Sequence, residues 1–251
     1  MQAFVKNTLA KLRQQLSDRL LEFKPYIKPL PIAGCPIRFF YGTPQAADWY
    51  DPVKPHNRRE LEWLAARIAG QSHKIVDVGA YHGLYTLVLA RAAGAGSEVI
   101  AVDPVASNCA VIEVNLALNR LHATIEQCAV GVVDGEVGLS SRSCARIIPH
   151  GGIRVPSRRL SSIMPEATLV KLDIEGAEFE VVPGQIDDLA HARVWIVEIH
   201  PGRGRHPDLV LDAFRTRHFD LWWGEPTTGQ IKPYRAQSWK TRTTLIAIRQ
   251  D

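Results

Sequence analysis

Val76-Asp77-Val78-Gly79-Ala80-Tyr81-His82-Gly83-Leu84-Tyr85 decides the fold of this chain. Lys74–Val78 reads as a buried strand, two glycines break it, and Leu84–Ala93 resumes with helical spacing. Strand, glycine turn and helix in this order open a wound α/β sheet. In such sheets ligands bind beyond the C-terminal strand ends, where the winding reverses. Gly79 is expected to turn the backbone sharply there. Gly83 is expected to let the helix start approach a ligand.

Downstream the alternation continues. Strands are expected at Glu98–Asp103, Ala123–Val130, Leu169–Asp173 and Val194–Ile199, with helices at Ser107–Asn119, Ala177–Val182 and Pro207–Arg217. Phe219–Trp223 and Thr243–Ile248 are final strands with no helical pattern between them, so they are expected to pair antiparallel. The reading is an α/β, Rossmann-like, mostly parallel sheet with one reversed strand and helices on both faces. Residues 134–160, with Gly135, Gly138, Gly151 and Gly152, read as a hairpin-like insertion over the site.

Upstream, Val5, Leu9, Leu12, Leu16, Leu20 and Phe23 form one stripe, which predicts a helix over residues 2–24. It is expected to dock on the domain, with a dimer contact or membrane-surface role as alternatives. Seven prolines between Pro25 and Pro55 exclude long regular elements, although Ile37–Tyr41 reads as a short strand. Arg58 to Gly70 reads as a helix. The expected division is a cap over residues 1–57 and a catalytic domain over 58–251.

The composition, 46% hydrophobic and 22% charged, is that of a folded protein. A net charge of +4 is too small to announce a nucleic-acid binder. Cys35, Cys109, Cys128 and Cys144 are scattered, with no CxxC, which argues for a reducing compartment rather than a disulfide scaffold. No apolar run reaches the roughly 18 residues needed to span a bilayer. The expected location is therefore the cytoplasm.

Two strand ends narrow the ligand. Asp103 is placed to accept two hydrogen bonds from a ribose diol. Tyr81 stands where a dinucleotide fingerprint requires its second glycine, so a pyrophosphate would be obstructed. S-adenosylmethionine carries no phosphate, and its carboxylate is expected at the free N–H groups of the helix start. Cys128-Ala129 should approach the adenine ring.

These motifs resemble the FkbM family of methyltransferases. Val76–Thr86 follows the family's opening V-D-V-G-A-N-x-G-L-Y-T, departing at Tyr81 and His82. Asp103-Pro104 stands for its Glu-Pro, and Asn115 for an asparagine on the following helix. Arg159-Leu160-Ser161-Ser162-Ile163 lacks its acidic pair, whereas Lys171–Glu178 matches its K-x-D-x-E-G-A-E and Val197–Ile199 its V-E-I. The resemblance implies a seven-stranded fold, S-adenosylmethionine as donor, and O-methylation of a sugar, polyketide or other natural-product or glycan acceptor. It leaves the acceptor open. The candidate cofactor residues are Asp77, Gly79, Ala80, Tyr81, His82, Gly83, Tyr85, Asp103, Pro104, Cys128, Ala129 and Asp173.

Methyl transfer needs alignment of the acceptor and removal of its proton. Asp173, Glu175 and His200 are the catalytic candidates. His200 follows Glu198 at a strand end and titrates near neutrality. Glu175 and Glu178 share a helical face, one of them a candidate for a solvated first-turn carboxylate. Asp173, Glu175, Glu198 and His200 would suit Mg²⁺, yet the spacing does not require a metal. Arg142, Arg146, Arg154, Arg158, Arg159, Arg203 and Arg205 would make a basic rim favouring an acidic acceptor, if they are not simply a solvated surface. Three rivals remain: a nicotinamide-dependent oxidoreductase, a nucleic-acid methyltransferase, and a scaffold that binds cofactor without turnover.

Overall fold

The structure is a computed structural model that describes residues 23–250 except 33, 141–145, 149, 203–205 and 236–241. The helix expected over residues 2–24 lies outside the described residues, apart from Phe23 and Lys24, which are not helical. Cys144, Arg142, Arg203 and Arg205 also lie outside them.

The described chain begins with a hairpin, β1 (Tyr26–Leu30) and β2 (Ile37–Tyr41), followed by α1 (Pro44–Tyr50) and α2 (Pro55–Ile68). Thr43 caps α1 by accepting from Ala46 N at 3.2 Å, and prolines open both helices, where a missing N–H costs nothing. β3 (Lys74–Val78), α3 (Leu84–Ala92), β4 (Glu98–Val102), α4 (Ala106–Asn119) and β5 (Thr124–Glu126) form the first winding. The chain then leaves the main sheet for β6 (Ala129–Val130), β7 (Gly135–Leu139), β8 (Ile147–Ile148) and β9 (Ile153–Arg158). These four make a separate sheet in the order β6-β9-β7-β8. After the single turn α5 (Leu160–Ile163) come β10 (Leu169–Leu172), α6 (Glu178–Gln185), β11 (Val194–Ile199), α7 (Asp208–Arg215), β12 (Phe219–Gly224), β13 (Ile231–Pro233) and β14 (Thr243–Arg249).

The main sheet runs β13-β12-β14-β11-β10-β3-β4-β5. β14 is antiparallel to both β11 and β12, the expected reversed strand. An eighth strand, β13, pairs antiparallel with the edge of β12. It forms because Glu225 pins the intervening turn, accepting from Thr227 N at 3.1 Å and Thr228 N at 2.7 Å. The single strand expected at Ala123–Val130 is broken between β5 and β6, since Ala129 pairs with Ser157 of the insertion instead.

The core occupies both faces. Phe179, Trp195 and Phe214 pack under α6 and α7, whereas Phe39, Leu61, Leu87 and Ile112 pack between α2, α3, α4 and the hairpin. Two asparagines on α4 fasten the hairpin. Asn115 accepts from Phe40 N at 2.7 Å and donates to His82 O at 2.8 Å. Asn119 accepts from Arg38 N at 2.8 Å and donates to Arg38 O at 2.7 Å.

Candidate active site

The register brings the strand ends into line. Val78 pairs with Val102 on one side and Leu172 on the other. Gly79, Asp103 and Asp173 therefore leave one sheet edge together. β3 and β10 are neighbours although the chain winds away from β3 before returning, so the switch point falls between Gly79 and Asp173. A cavity of about 400 Å³ opens there.

The glycine turn is spent largely on itself. Gly79 N and Ala80 N donate to Val102 O at 2.9 and 3.1 Å, and Tyr81 N donates to Asp103 Oδ2 at 2.8 Å. The donors left to a ligand carboxylate are those of the first turn of α3, where Leu84 and Tyr85 line the cavity and no side chain caps the helix. Gly79 sits at φ +70°, and only glycine fits there because a Cβ would lie 1.8 Å from the Asp173 carbonyl oxygen. Gly83 itself is not among the cavity residues; a Cβ there would meet Ile112 of α4 at 3.3 Å, while the helix start it opens, Leu84 and Tyr85, lines the cavity. His82 also turns away. It is buried, stacked on Tyr81 at 3.9 Å, and burial pushes its pKa down to about 3. Asp77 is fully buried below the cavity and accepts from Thr86 Oγ1 at 2.6 Å.

Gly79, Ala80, Tyr81, Tyr85, Asp103, Pro104, Cys128, Ala129, Asp173 and Glu175 all line the cavity. Asp103 Oδ1 accepts from Val105 N at 2.9 Å and Asn108 Nδ2 at 3.0 Å. With Tyr81 N on the other oxygen, three of about four lone-pair directions are filled. One such direction is left open. Burial raises its pKa to about 6 against the pull of those donors.

The reaction edge is a charge cluster. Lys171 is buried on β10, in register with Asp77, with its Nζ 3.4 Å from Asp77, 3.8 Å from Asp173 and over the Tyr85 ring at 4.9 Å. Burial opposes its charge, but Asp77, Asp173 and Glu198 outweigh that and raise its pKa. Asp173 and Glu198 are hydrogen-bonded to each other. Burial first, and then the Asp173 charge, drives Glu198 far up. For Asp173 burial is overcome by Lys171 and by the Glu198 hydrogen bond, which hold its pKa low. Arg242, at the start of β14, pairs with Glu198.

Glu178 is fully buried and not the solvated carboxylate considered above. It accepts from Gly176 N at 2.7 Å, His200 N at 2.8 Å and His200 Nδ1 at 3.2 Å. Glu175 is held by Arg146 at 2.7 Å. His200 Nε2 stands 3.7 Å from Asp173 and 4.0 Å from Glu175, just behind the cavity wall. Burial would lower its pKa, but the Glu178 bond and the charges of Asp173, Glu178 and Glu175 raise it overall.

Single atoms of Asp173, Glu198 and His200 lie within 4.8 Å of one another. Two cations of the chain stand beside the set, Lys171 Nζ at 3.8 Å from Asp173 and Arg242 paired with Glu198. Lys171, Glu60 and Arg242 are cavity residues that the sequence reading did not single out. Glu60 accepts from Tyr85 Oη at 2.7 Å and Thr244 Oγ1 at 2.8 Å. A lysine inside an apolar run beside K-x-D was the available signal for the first. Nothing local marked the other two.

Comparison with known proteins places this geometry. No curated protein matches the chain in sequence. Many solved structures share the fold at low identity, two of which follow. The T. thermophilus 16S rRNA N2 G1207 methyltransferase, in complex with AdoMet and guanosine, gives a TM-score of 0.53 at 15% identity, over 92% of this chain and 52% of its own. The SAM-dependent methyltransferase from Agrobacterium tumefaciens gives 0.52 at 14%, over 90% and 71%. This chain thus spans about half the length of the first. The model of the methyltransferase FkbM domain matches residues 77–221, from the end of β3 into β12. The architecture is that of the class I S-adenosylmethionine-dependent methyltransferases, and the chain belongs to the FkbM methyltransferase family.

Proposed function

We propose that this chain is an S-adenosylmethionine-dependent O-methyltransferase acting on a hydroxyl of a sugar, polyketide or other natural-product or glycan acceptor. The observation that carries the reading is His200, oriented by Glu178 and set behind Asp173 at the switch point. The cavity suits the cofactor. Tyr81 stands where a dinucleotide fingerprint needs its second glycine, the turn's N–H groups are largely taken, and Asp103 keeps one acceptor site for a hydroxyl. Asp103 would hold the ribose, Cys128 and Ala129 the base, and the first turn of α3 the amino-acid carboxylate. When bound, the cofactor supplies an electrophilic methyl group on a sulfonium.

The chain's own residues would then handle the acceptor. Its hydroxyl donates to ionised Asp173. As the hydroxyl oxygen is methylated and the sulfonium leaves as a neutral thioether, the O–H proton would pass by way of Asp173 to His200 Nε2, giving an imidazolium whose Nδ1–H stays on Glu178. Alignment contributes up to about 7–11 kcal/mol and the base about 10²–10⁴-fold. Among the described residues no helix is long and apolar enough to cross a membrane. Three buried free thiols, Cys35, Cys109 and Cys128, support the cytoplasm as the compartment we infer.

Calorimetric titration with S-adenosylhomocysteine, NAD⁺ serving as control, tests the cofactor. Saturable binding of the first alone is expected, and NAD⁺ binding in its place would end the reading. Transfer of labelled methyl to hydroxyl acceptors, giving ethers stable to base, tests the chemistry.

A further inference from the structure

The described arginines of the insertion do not form a free basic rim. Arg146 is bonded to Glu175, Arg154 to Glu136, Arg158 to Glu126 and Arg159 to Asp188. Positive charge enters the cavity elsewhere. Lys54, His56 and Arg242 all line it, brought together where α2 begins and β14 begins. Their nearness shows in His56. Burial depresses its pKa, and the charges of Lys54 and Arg242 push it further down. Gathered like charges destabilise one another, and an anion between them removes that cost. Pro55 opens the 14-residue α2 and no side chain caps its first turn, which adds backbone N–H groups to the corner.

The rest of the cavity has the opposite character. Asp173, Glu175 and Glu198 gather at the reaction edge. Trp49 and Tyr50 form an aromatic wall, Trp49 lying 5.1 Å from Tyr81. Arg242 links the two regions, since its guanidinium pairs with Glu198 and has five donors to share.

We propose that Lys54, His56 and Arg242 form an oxyanion subsite, so that the acceptor is a hydroxyl compound carrying a phosphate or carboxylate group. The proposal rests on the methyl-transfer reading and names the substrate class for it. The aromatic wall would carry the body of the acceptor between its anionic group and the hydroxyl presented to Asp173.

The imidazole of His56 reports on the corner directly, its NMR signal assigned with His56→Gln. The S-adenosylhomocysteine-loaded protein is titrated with inorganic phosphate, glucose 6-phosphate, glucuronate and glucose at constant ionic strength. Saturable shifts with phosphate and at least one anionic sugar are expected, with a rise in the His56 titration midpoint and no response to glucose. Preference between the two sugars assigns phosphate or carboxylate. Lys54→Met should weaken the response about tenfold, the loss of one charge-assisted bond, while leaving S-adenosylhomocysteine affinity unchanged. Shifts that never saturate, that survive in Lys54→Met, or that glucose matches would overturn the subsite. If S-adenosylhomocysteine itself does not bind, the cofactor reading fails instead, and the phosphate titration of the free protein still decides the corner.

Discussion

Glu178 uses both carboxylate oxygens inside the protein, one on Gly176 N and the other on the backbone and ring of His200. That fixes the imidazole with Nδ1 inward and Nε2 toward Asp173 and Glu175. It also sets the sign of the pH dependence. His200 works as a base only when neutral, and its pKa is raised, so the acid limb of kcat/KM should lie above the ordinary imidazole range. Glu178→Gln removes one of the charges that raise it. The limb should then move to lower pH, and the plateau rate should fall by less than the about 10²–10⁴-fold that His200→Ala would cost. A pH–rate profile on the two variants checks this. A limb that stays in place in Glu178→Gln would take His200 out of the base role.

The turn between β3 and α3 holds two glycines of unequal importance. At Gly79 a Cβ would lie 1.8 Å from the carbonyl oxygen of Asp173, backbone that cannot yield without moving β10. At Gly83 the nearest contact would be an Ile112 side chain at 3.3 Å, which can give. Both sit at positive φ, where alanine costs about 1–2 kcal/mol. Gly79→Ala should therefore lose about 3 kcal/mol or more in urea unfolding, and Gly83→Ala about half that. Equal losses would count against the tight β3–β10 approach. This turn was legible because strand, glycines and helix are local signals. So were Asp103, Asp173 and His200, each placed by the end of its own strand. Lys54, Glu60 and Arg242 were not, because α2 and β14 meet the cavity only through the order of the sheet. The partners of the insertion's described arginines were not legible either, because those carboxylates lie far along the chain, at Glu126, Glu136, Glu175 and Asp188. β13 escaped notice because a glutamate side chain, not a glycine or proline pattern, folds its turn.

Taken across the molecule, one cavity has two origins. The family match covers residues 77–221 and supplies the turn, Asp103, Cys128, Asp173 and Glu198. Trp49, Tyr50, Lys54, His56, Glu60 and Arg242 come from outside it. On the proposed reading the matched portion builds the cofactor end, and flanking segments wall the side assigned to the acceptor. Binding at the cofactor end should be felt by the whole fold through Asp103. Its folded pKa of about 6 lies above the unfolded value of about 3.9. The stability this group contributes is therefore present in full below that unfolded value and is lost as pH rises through about 6. A ligand hydroxyl donated to the ionised oxygen favours the charged form and restores part of the loss. Saturating S-adenosylhomocysteine should accordingly raise Tm more at pH 7.5 than at pH 5, beyond the ordinary mass-action stabilisation. Asp103→Asn should flatten the difference. Thermal unfolding with and without the ligand at both pH values decides it, and an equal shift at both in the unsubstituted protein would remove Asp103 from the cofactor's sugar.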